Sequence, residues 1–535
     1  MDNMSKSLKI IPIGGLDRIG MNIMLIETGS SMFGLDCGMA FPDIIKMHGI
    51  QKILPDLSYI QKNSRKLKGL VITHGHEDHI GSIPYFLSKV RCNIFCTPFT
   101  SELIKAKLKK NDMPEYIKYV KVIPYKKKIR LGNMTAEFIE VNHSIPDSAC
   151  VFIETPVGNI FHTGDFKIDA NPILGDKIDY DYLKAIGNKG IMLFMSDSTN
   201  ADKSERQITE EEVGTLLSKI INENQDKRII IATFSSNIGR VQQILNAASA
   251  SNKKVILDGK SLTESTKLAI KMKILSVPDN TLIEDPENTA YKAENTIVIC
   301  TGTQGEYMAS IGRMSRGGHS KMIADQNDIV VFSGNPIPGN ESAVEETINN
   351  LIKKGVKVIK AIHTSGHAYQ KDLEIMYKLI HPKIVIPVHG DFYQRTCAAE
   401  LYESLGAKYA FVVENGNTIS FASPNKFQIS GKLPLKKVYS DDSCIEGVTD
   451  KILEERNRLA NSGIVSVYVN DKNIEIESRG FLDRHIFEQI KPEMEKHIID
   501  VISNKNENLK ECIYKELKYY CFSRLGKHPE IIVCA

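Results

Sequence analysis

Short apolar runs separated by polar turns dominate the first third of this chain. Each run has the length of a buried strand and is bounded by residues that favour turns, such as Gly, Pro, Asn and Asp. The predicted strands are Leu8–Ile13, Asn22–Thr28, Ser31–Asp36, Ile94–Thr97, Ala136–Val141 and Gly158–Thr163. This alternation of short apolar runs and polar turns predicts stacked sheets with flanking helices.

From residue 206 the pattern changes to repeated strand–helix units. The apolar runs become continuous, which is typical of parallel strands that are covered on both faces. The predicted strands are Arg228–Phe234, Lys254–Asp258, Asn295–Cys300 and Ile329–Phe332, and the predicted helices are Ile238–Ala248, Thr263–Met272 and Ala343–Lys353. This region is therefore predicted to be a separate α/β domain.

The last part of the chain predicts two more strands and then a small α+β module. Strands are predicted at Val356–His363 and Lys383–His389, and a polar, mixed stretch at 434–450 is predicted to be a linker. A hairpin around Asn470–Asn473, two amphipathic helices and a terminal strand should form the module. The hairpin strands are predicted at Gly463–Val469 and Ile474–Ser478, and the terminal strand at Ile531–Cys534.

Composition narrows the class of protein. A chain of 535 residues with 42% hydrophobic and 25% charged residues has the profile of a globular protein with about three or four domains. No apolar stretch is long enough to span a bilayer, and the N-terminus lacks the apolar core of a signal peptide. The ten cysteines show no framework spacing, which favours reduced thiols and a cytoplasmic location. A net charge of +3 does not by itself indicate nucleic-acid binding.

The run from His74 to His79 is the strongest chemical signal in the sequence. It reads His-Gly-His-Glu-Asp-His and follows an apolar run, so it predicts a strand that ends in a loop leading into a helix. The set contains no Cys and includes Asp78, which suits a metal site that holds water or phosphate oxygens. His74 and His76 can point toward one centre, while Asp78 and His79 can reach a second.

Further metal-type residues follow other predicted strands. His143, Asp165 and His389 each stand at or just beyond such a strand end. A single His in that position is usually an ordinary polar residue with a hydrogen-bond partner. Beside a His-x-His-x-Asp-His run, however, the set favours one shared metal site.

These motifs resemble the signature of the metallo-β-lactamase superfamily. The matching residues are His74, His76, Asp78, His79, His143 and Asp165, with Asp36 in the position of the first motif. Beyond Asp165 the chain resembles the β-CASP branch, which acts on nucleic acids. Asp197, His367 and His389 fit its motifs A, B and C.

Within that branch the sequence resembles the bacterial ribonuclease J family. The hallmark runs are Asp36–Pro42, Ala232–Asn237, Thr301–Glu306 and Glu477–Phe481. Three places depart from the family pattern and put details of RNA contact in doubt: Asp17-Arg18 in place of Gly-Glu, Gly239 in place of His, and Asp391 in place of Glu.

The resemblance implies two zinc ions per subunit, with Mn²⁺ or Mg²⁺ as alternatives. One ion would take His74, His76 and His143, the other would take Asp78, His79 and His389, and Asp165 would bridge them. Paired metals activate water for attack on a phosphodiester. Asp78 is thus assigned to catalysis as well as to metal binding. His367 would act as general acid with Asp197 orienting it, and Asp36 would orient a ligand.

The resemblance also implies a pocket for a 5′-monophosphate and a role in RNA cleavage. Ser235 and Asn237 lie between a predicted strand and helix, where free backbone N–H groups favour phosphate. Ser365 and Gly366 stand beside His367, which completes the candidate pocket. Phe41 could stack a base or be an ordinary core residue. A His at the position of His389 resembles the RNA-processing members of the branch.

The predicted fold is α/β, with a metallo-β-lactamase αββα sandwich, an inserted β-CASP α/β domain and a small C-terminal α+β domain. The predicted borders are 1–205 and 371–433 for the sandwich, 206–370 for the β-CASP domain, 434–450 for the linker and 451–535 for an oligomerisation domain. The cleft between sandwich and insertion should hold the active site.

The predicted function is a zinc-dependent ribonuclease with 5′→3′ exonuclease and endonuclease activity in RNA maturation, including that of rRNA, and mRNA decay. The expected partners are single-stranded RNA, further copies of the chain in a homodimer or homotetramer, and the proteins of an RNA-decay complex. No association with a membrane is expected. Two alternatives stay open: a small-molecule metallo-hydrolase, and a non-catalytic scaffold for RNA processing. The inserted region argues against the first, and the intact ligand set argues against the second.

Overall fold

The computed structural model describes residues 7–43, 47–287, 289–292, 294–337, 340–360, 362–441, 445–470, 473–504 and 508–535. The chain forms two compact units, Met1–Ala40 with Leu54–Lys436 and Phe41–Ile53 with Lys437–Ala535. Within the described residues, no helix combines the length and the apolar character needed to cross a bilayer.

Two facing mixed sheets form the centre of the first unit. In the part of the chain that the structure describes, one has eight strands and the other has seven. In spatial order, the first contains Lys426–Lys432, Asn417–Ser423, Leu8–Gly14, Ile23–Thr28, Ser31–Leu35, Leu67–Val71, Ile94–Cys96 and Val120–Val122. The second contains Tyr409–Ala410, Ile384–Val388, Ile191–Asp197, Asn159–His162, Ala149–Glu154, Met134–Glu140 and Lys128–Leu131.

Alternating side chains of both sheets build the core between them. Residues such as Phe33, Phe138 and Ile386 are buried there in one apolar cluster. The other face of the seven-stranded sheet carries a second apolar cluster. Three helices contribute to it: Tyr180–Gly187, Gln370–Ile380 and Phe392–Ser404. The helices Ser58–Lys62, Glu77–Ile80, Ile83–Lys89 and Pro98–Lys110 alternate with strands of the eight-stranded sheet. The predicted αββα sandwich is confirmed.

The inserted region is a parallel sheet with helices on both faces, as predicted. Its described strands, in spatial order, are Lys254–Asp258, Thr296–Cys300, Arg228–Thr233, Asp328–Ser333 and Lys357–Ile359. One face packs against the helices Glu210–Glu223, Ile238–Ala250 and Lys260–Lys271. The other face packs against Ser310–Arg316 and Glu341–Lys353. Burial on both faces explains why these strands read as unbroken apolar runs.

The second unit contains the predicted α+β module. The strands Ile464–Asn470 and Asn473–Arg479 form the antiparallel hairpin, and Glu530–Cys534 pairs in parallel with the first of them. The predicted turn residues Asp471 and Lys472 lie outside the described residues. The helices of this unit are Asp450–Ser462, Arg484–Ser503 and Leu509–Leu525.

Two predicted segments look different in the structure. The strand predicted over 356–363 is limited to Lys357–Ile359, and the Ile362 carbonyl accepts hydrogen bonds from the side chains of Arg240 and Ser333 instead of a sheet partner. The segment 434–450, predicted as a linker, carries the strands Val438–Ser440 and Ile445–Val448, and the first is joined in a sheet by Lys52–Leu54. Tyr439 and Ser440 are buried there, which polar composition alone does not indicate. The domain borders stay a prediction.

Candidate active site

Three imidazoles converge just beyond the end of the strand Leu67–Val71. The His74 Nε2 and His76 Nδ1 atoms lie 3.1 Å apart, and His143 Nε2 lies 3.1 Å from the same His76 nitrogen. His143 follows the strand Met134–Glu140 of the facing sheet, so the two sheets contribute to one cluster. The three ring nitrogens lie within 4.8 Å of one another, which is close enough for a single metal ion to bind all three.

A second donor group of two carboxylates and two imidazoles adjoins the first. His389 Nε2 lies 3.0 Å from Asp78 Oδ2, and His79 Nε2 lies 3.1 Å from Asp165 Oδ2. The same Asp165 oxygen is 3.4 Å from His389 Nε2 and 3.6 Å from His74 Nε2. Asp165 therefore lies between the two groups, where a bridging ligand would be.

Asp197 and His367 form a pair beside this cluster. Asp197 ends the strand Ile191–Asp197, and its Oδ2 lies 2.9 Å from His367 Nδ1. Asp165 Oδ2 is 4.0 Å from the same His367 nitrogen. These three residues and His389 could also group around an ion. The structure thus brings together every residue that the sequence analysis assigned to metal binding or catalysis.

Each imidazole of the cluster is held by a polar group on its outer side. Asp36 Oδ2 lies 2.8 Å from His79 Nδ1, and its other oxygen accepts a hydrogen bond from the Thr73 backbone N–H. The Thr199 hydroxyl lies 2.7 Å from His389 Nδ1. Such outer contacts set ring orientation and tautomer, and they raise the basicity of the ligand nitrogen.

Two of these residues adopt unusual backbone conformations. Asp36 has φ 60° and His389 has φ 53°, in the left-handed region that non-glycine residues rarely occupy. A residue there costs free energy and persists only where its surroundings enforce it. Both side chains contact the cluster, so the strain accompanies their placement at the site.

The charges of the cluster suit a cation. Burial lowers the pKa of His76 to about 4 and also lowers the pKa values of His74 and His143, so these rings are neutral and could each donate a nitrogen lone pair to a metal ion. Burial also acts to lower the pKa of His389, but Asp165 and the neighbouring carboxylates raise it to about 10.

The carboxylates are held in their ionised form. Burial alone would raise the pKa of Asp78, yet the imidazoles of His79 and His389 keep that pKa well below its ordinary value. Asp165 is lowered in the same way, first by His389. Metal binding displaces protons from such donor sets. Nitrogen and carboxylate oxygen donors without sulfur fit Zn²⁺, Mn²⁺ and other divalent ions.

The loop 362–368 connects the inserted domain to the cluster. The His143 Nδ1–H donates to the Gly366 carbonyl at 2.7 Å. A Cβ atom at Gly366 would lie 2.7 Å from the His143 ring, so this close approach requires glycine. Gln207 Nε2 donates to the Ser365 carbonyl, and the Asn200 amide donates to the Ser365 hydroxyl.

A buried ion network supports the other end of this loop. Glu210 accepts hydrogen bonds from Lys167 Nζ and Arg240 Nη2, both at 2.8 Å. Arg240 is fully buried, and its Nη1 donates to the Ile362 carbonyl at 2.9 Å. The network therefore links the strand-end segment after Asp165 to the loop that carries His367.

The predicted phosphate-binding residues do not all reach the cluster. Ser236 Oγ, from the same predicted segment as Ser235 and Asn237, lies 3.1 Å from His76 Nε2, whereas Ser235 lines a neighbouring cavity. Asn237 is buried and caps the helix Ile238–Ala250, because its Oδ1 accepts a hydrogen bond from the Arg240 backbone N–H. Phe41 is 60% exposed and belongs to the second compact unit, so it is not a core residue.

Sequence reasoning missed several contacts of the ligands. Asn22 Nδ2 lies 3.0 Å from His79 Nε2 and donates to the Asp78 carbonyl. Thr73 and Thr199 stand next to recognised motifs, and proximity to those motifs was the available signal. No motif marks Asn22, because its place beside His79 depends on how the strands pair.

The departures from the family pattern have local explanations in two places. Asp391 accepts a hydrogen bond from the Gln394 backbone N–H and forms a capping box for the helix Phe392–Ser404. A Cβ atom at Gly239 would meet no atom closer than 3.7 Å, so a side chain would fit there. Nothing in the structure explains the Asp17-Arg18 pair.

The fold and the His/Asp cluster define a metal-dependent hydrolase of the metallo-β-lactamase superfamily. A family model described as "Metallo-beta-lactamase superfamily" matches residues 18–217, and "Zn-dependent metallo-hydrolase RNA specificity domain" matches 354–413. "Ribonuclease J, beta-CASP domain" matches 226–351, and "Ribonuclease J C-terminal domain" matches 451–535. The chain belongs to the ribonuclease J family.

Curated relatives support this membership over the full chain. "Ribonuclease J" of Helicobacter pylori (strain B128) is 33% identical over 99% of this chain and 79% of that protein. "Ribonuclease J 1" of Streptococcus pyogenes serotype M3 is 34% identical over 98% of this chain and 96% of that protein. "Ribonuclease J2" of Bacillus subtilis is 30% identical over 99% and 98%.

A solved structure shares the fold. A protein of unknown function from Enterococcus faecalis V583 aligns with a TM-score of 0.56 over 78% of this chain and 100% of that chain, at 16% identity. Family membership makes the chain a metal-dependent ribonuclease that binds RNA. It sets aside the small-molecule hydrolase and the non-catalytic scaffold.

Proposed function

We propose that this ribonuclease is a 5′→3′ exonuclease that prefers a 5′-monophosphate and also cleaves RNA internally, in RNA maturation and mRNA decay. The observation that carries the proposal is the convergence of the His/Asp cluster, the Asp197–His367 pair and the Ser365–Gly366 loop at one place. The proposed catalytic centre and the proposed position of the terminal phosphate then adjoin each other, as removal of single terminal nucleotides requires.

Two zinc ions are the proposed cofactors, with Mn²⁺ or Mg²⁺ as alternatives. His74, His76 and His143 would hold one ion, Asp78, His79 and His389 would hold the other, and Asp165 would contact both. When bound, such ions activate water and neutralise negative charge on the phosphodiester.

His367 is the proposed general acid. Its Nδ1 is held 2.9 Å from Asp197 Oδ2, so the carboxylate favours a protonated ring and fixes its plane. The Nε2–H is then the proton available to the departing 3′ oxygen. Asp197 itself accepts a hydrogen bond from the Thr199 backbone N–H, which holds the carboxylate in place. Asp197 is thus a positioning residue for His367.

Ser365 and Gly366 are proposed to receive the terminal phosphate. The Ser365 hydroxyl accepts a hydrogen bond from the His367 backbone N–H at 3.2 Å, so it is fixed beside the general acid. Glycine at 366 lets the backbone pack against the His143 ring, which holds this segment beside the His/Asp cluster. A triphosphate would need room for two further phosphoryl groups, which is the proposed reason for discrimination.

Cleavage of one labelled single strand tests this function. RNA and DNA versions, each with a 5′-monophosphate or a 5′-triphosphate, are incubated with metal-loaded wild type and with Asp78→Ala. We expect mononucleotides from monophosphorylated RNA with wild type, internal fragments at a lower rate, and neither with the variant. Cleavage of DNA alone, or of neither polymer by metal-loaded protein, would contradict the proposal.

We also propose a homodimer or homotetramer in the cytoplasm, with other RNA-decay proteins as partners. Support comes from the match of residues 451–535 to the family's C-terminal domain. Light scattering of the purified chain at several concentrations should give a mass two or four times that of one chain of 59.9 kDa. A monomer mass at all concentrations would contradict it.

A further inference from the structure

A cavity of about 300 Å³ lies at the carboxyl ends of the parallel strands in the inserted domain. Its walls are the loops that follow the strands Arg228–Thr233, Lys254–Asp258 and Thr296–Cys300. Open parallel sheets bind ligands in crevices at this edge. The volume falls at the lower end of the range for small-molecule sites. The cavity is therefore the right size and place for one ligand unit.

One wall of the cavity suits a phosphate group. Lys260 begins the helix Lys260–Lys271, and the preceding Gly259 has no side chain to cap the free N–H groups of the first turn. Gly259 is required here, since its φ is 136° and a Cβ atom would lie 2.8 Å from the Thr301 side chain. Further hydroxyl groups on the walls belong to Ser235, Ser236, Ser261, Thr301 and Thr303.

Thr303 points to a ligand independently of the helix end. Its side chain is only 2% exposed, yet it lines the cavity. Its hydroxyl makes no hydrogen bond to any residue that the structure describes. A hydroxyl on a cavity wall that has no protein partner is free to bind a ligand or water.

A carboxylate on the opposite wall argues against a simple anion site. Glu306 lines the cavity and accepts one hydrogen bond, from the Gln304 backbone N–H at 3.2 Å. A carboxylate has about four acceptor positions, so most of its capacity is left for a ligand. Carboxylates at this edge of related sheets bind ribose hydroxyls. A ligand that carries both a phosphate group and hydroxyl donors would fit these walls, and a ribonucleotide has both.

The cavity and the active site share Ser236. Ser236 lines the cavity, and its Oγ lies 3.1 Å from His76 Nε2. Ser265 of the helix Lys260–Lys271 donates to the Ser235 carbonyl at 2.6 Å, which holds that loop against the phosphate-type wall. A strand bound at the His/Asp cluster could therefore continue into the cavity.

We propose that this cavity binds one ribonucleotide of the RNA substrate at a position away from the scissile bond. Lys260 and the first turn of its helix bind the phosphate, and Glu306 accepts a hydrogen bond from the 2′-hydroxyl. The site is separate from the terminal-phosphate position at Ser365–Gly366. It adds selection for RNA over DNA, because the 2′-hydroxyl distinguishes the two polymers. This inference rests on the proposed ribonuclease function.

Kinetics with modified RNAs test the proposal. Initial rates of cleavage are measured on short 5′-monophosphorylated RNAs that each carry one 2′-deoxynucleotide, using wild type, Lys260→Ala and Glu306→Gln. The matched control is Lys267→Ala, an exposed lysine of the same helix that does not line the cavity. We expect Lys260→Ala to raise KM about ten-fold with kcat nearly unchanged, since a charge-assisted hydrogen bond is lost.

The deoxy series should single out one nucleotide. In wild type, one substitution outside the cleaved linkage should raise KM several-fold, and Glu306→Gln should reduce that sensitivity, because a neutral amide oxygen is a weaker acceptor than a carboxylate. Equal KM values for Lys260→Ala and Lys267→Ala, or a deoxy effect of unchanged size in Glu306→Gln, would overturn the assignment. Inhibition by free AMP that depends on Lys260, with a flat deoxy series, would also overturn it in favour of a free-nucleotide site. Failure of wild type to cleave any RNA would instead refute the proposed function.

Discussion

The His/Asp cluster and the cavity of the inserted domain both lie where buried strands end, but their polar groups differ in burial. In the cluster, His74 is fully buried and Asp165 is 3% exposed. In the cavity, Lys260 and Glu306 are exposed. Buried charged groups are tolerated only when other groups pair with them, so their positions are over-determined. Exposed groups keep their own hydration and freedom of movement.

This difference separates catalysis from affinity. Groups that act on a reacting bond must be held within a fraction of an ångström, and the network of outer contacts around the cluster does that. Groups that only retain a flexible strand need no such support. Changes in the cluster should therefore lower kcat, while changes in the cavity should act on KM.

The largest effect is expected from loss of a ligand. His76→Ala should lower kcat by about a thousand-fold or more, because a metal supplies several kcal/mol of transition-state stabilisation and each 1.4 kcal/mol is tenfold in rate. Bound metal, measured by elemental analysis of the purified protein, should also fall. Asp181→Ala, an exposed aspartate on the helix Tyr180–Gly187, is the matched control. Full activity in His76→Ala would rule out its assignment as a ligand.

A smaller effect should follow from removing the general acid. His367→Ala should lower kcat by about 10²–10⁴-fold, the usual contribution of acid–base catalysis, while metal content stays at the wild-type level. Asp197→Asn should lower kcat less, because it only weakens the orientation of the ring. Substrates with a better leaving group at the scissile bond should restore much of the rate in His367→Ala. Loss of metal in that variant would instead identify His367 as a ligand.

The smallest effect on chemistry, and a clear one on stability, is expected at the buried ion network. Glu210→Gln leaves Arg240 without a counter-charge and leaves Lys167 with Asp169 at 3.9 Å, which should cost about 3 kcal/mol and lower the thermal unfolding midpoint by several degrees. Glu223→Gln at the exposed end of the same helix is the control, because its pair with Lys219 is solvent-exposed.

The difference in unfolding midpoint between wild type and Glu210→Gln should depend on pH, because the pKa of Glu210 differs between the folded and unfolded states. Burial acts to raise it, but Lys167 and Arg240 lower it from 4.5 to about 2. A lowered pKa in the folded state gives stability that is present above pH 4.5 and is lost as the pH falls toward 2. The gap in unfolding midpoint between wild type and Glu210→Gln should therefore narrow over that interval. A gap independent of pH would show that packing, rather than charge, stabilises the site.

Much of the fold could be predicted because local patterns carry it. The unbroken apolar runs of the inserted domain predicted a parallel sheet, and burial on both faces requires that pattern. Helix ends were less predictable. The helix that was predicted to begin at Thr263 begins at Lys260. The residue before it, Gly259, lies close to Thr301, which follows a different strand, and the local sequence does not reveal that contact. The short strands at 438–440 and 445–448 were missed. They pair with each other, and the third strand of their sheet, Lys52–Leu54, lies far earlier in the chain.

The sequence by itself determined the residue types of the candidate metal ligands, because the His-x-His-x-Asp-His run places its donors within six residues and strand ends position the others. Only the tertiary structure decided that Asn22 and Thr199 contact two of these residues. Asn22 contacts His79 and Thr199 contacts His389 across 57 and 190 residues of chain, respectively. Asn237 is a further example, because only the structure shows that its Oδ1 caps a helix. Metal ligands are recognisable by residue type and spacing, whereas the groups that orient them are set by sheet register and loop packing, to which sequence spacing gives no guide.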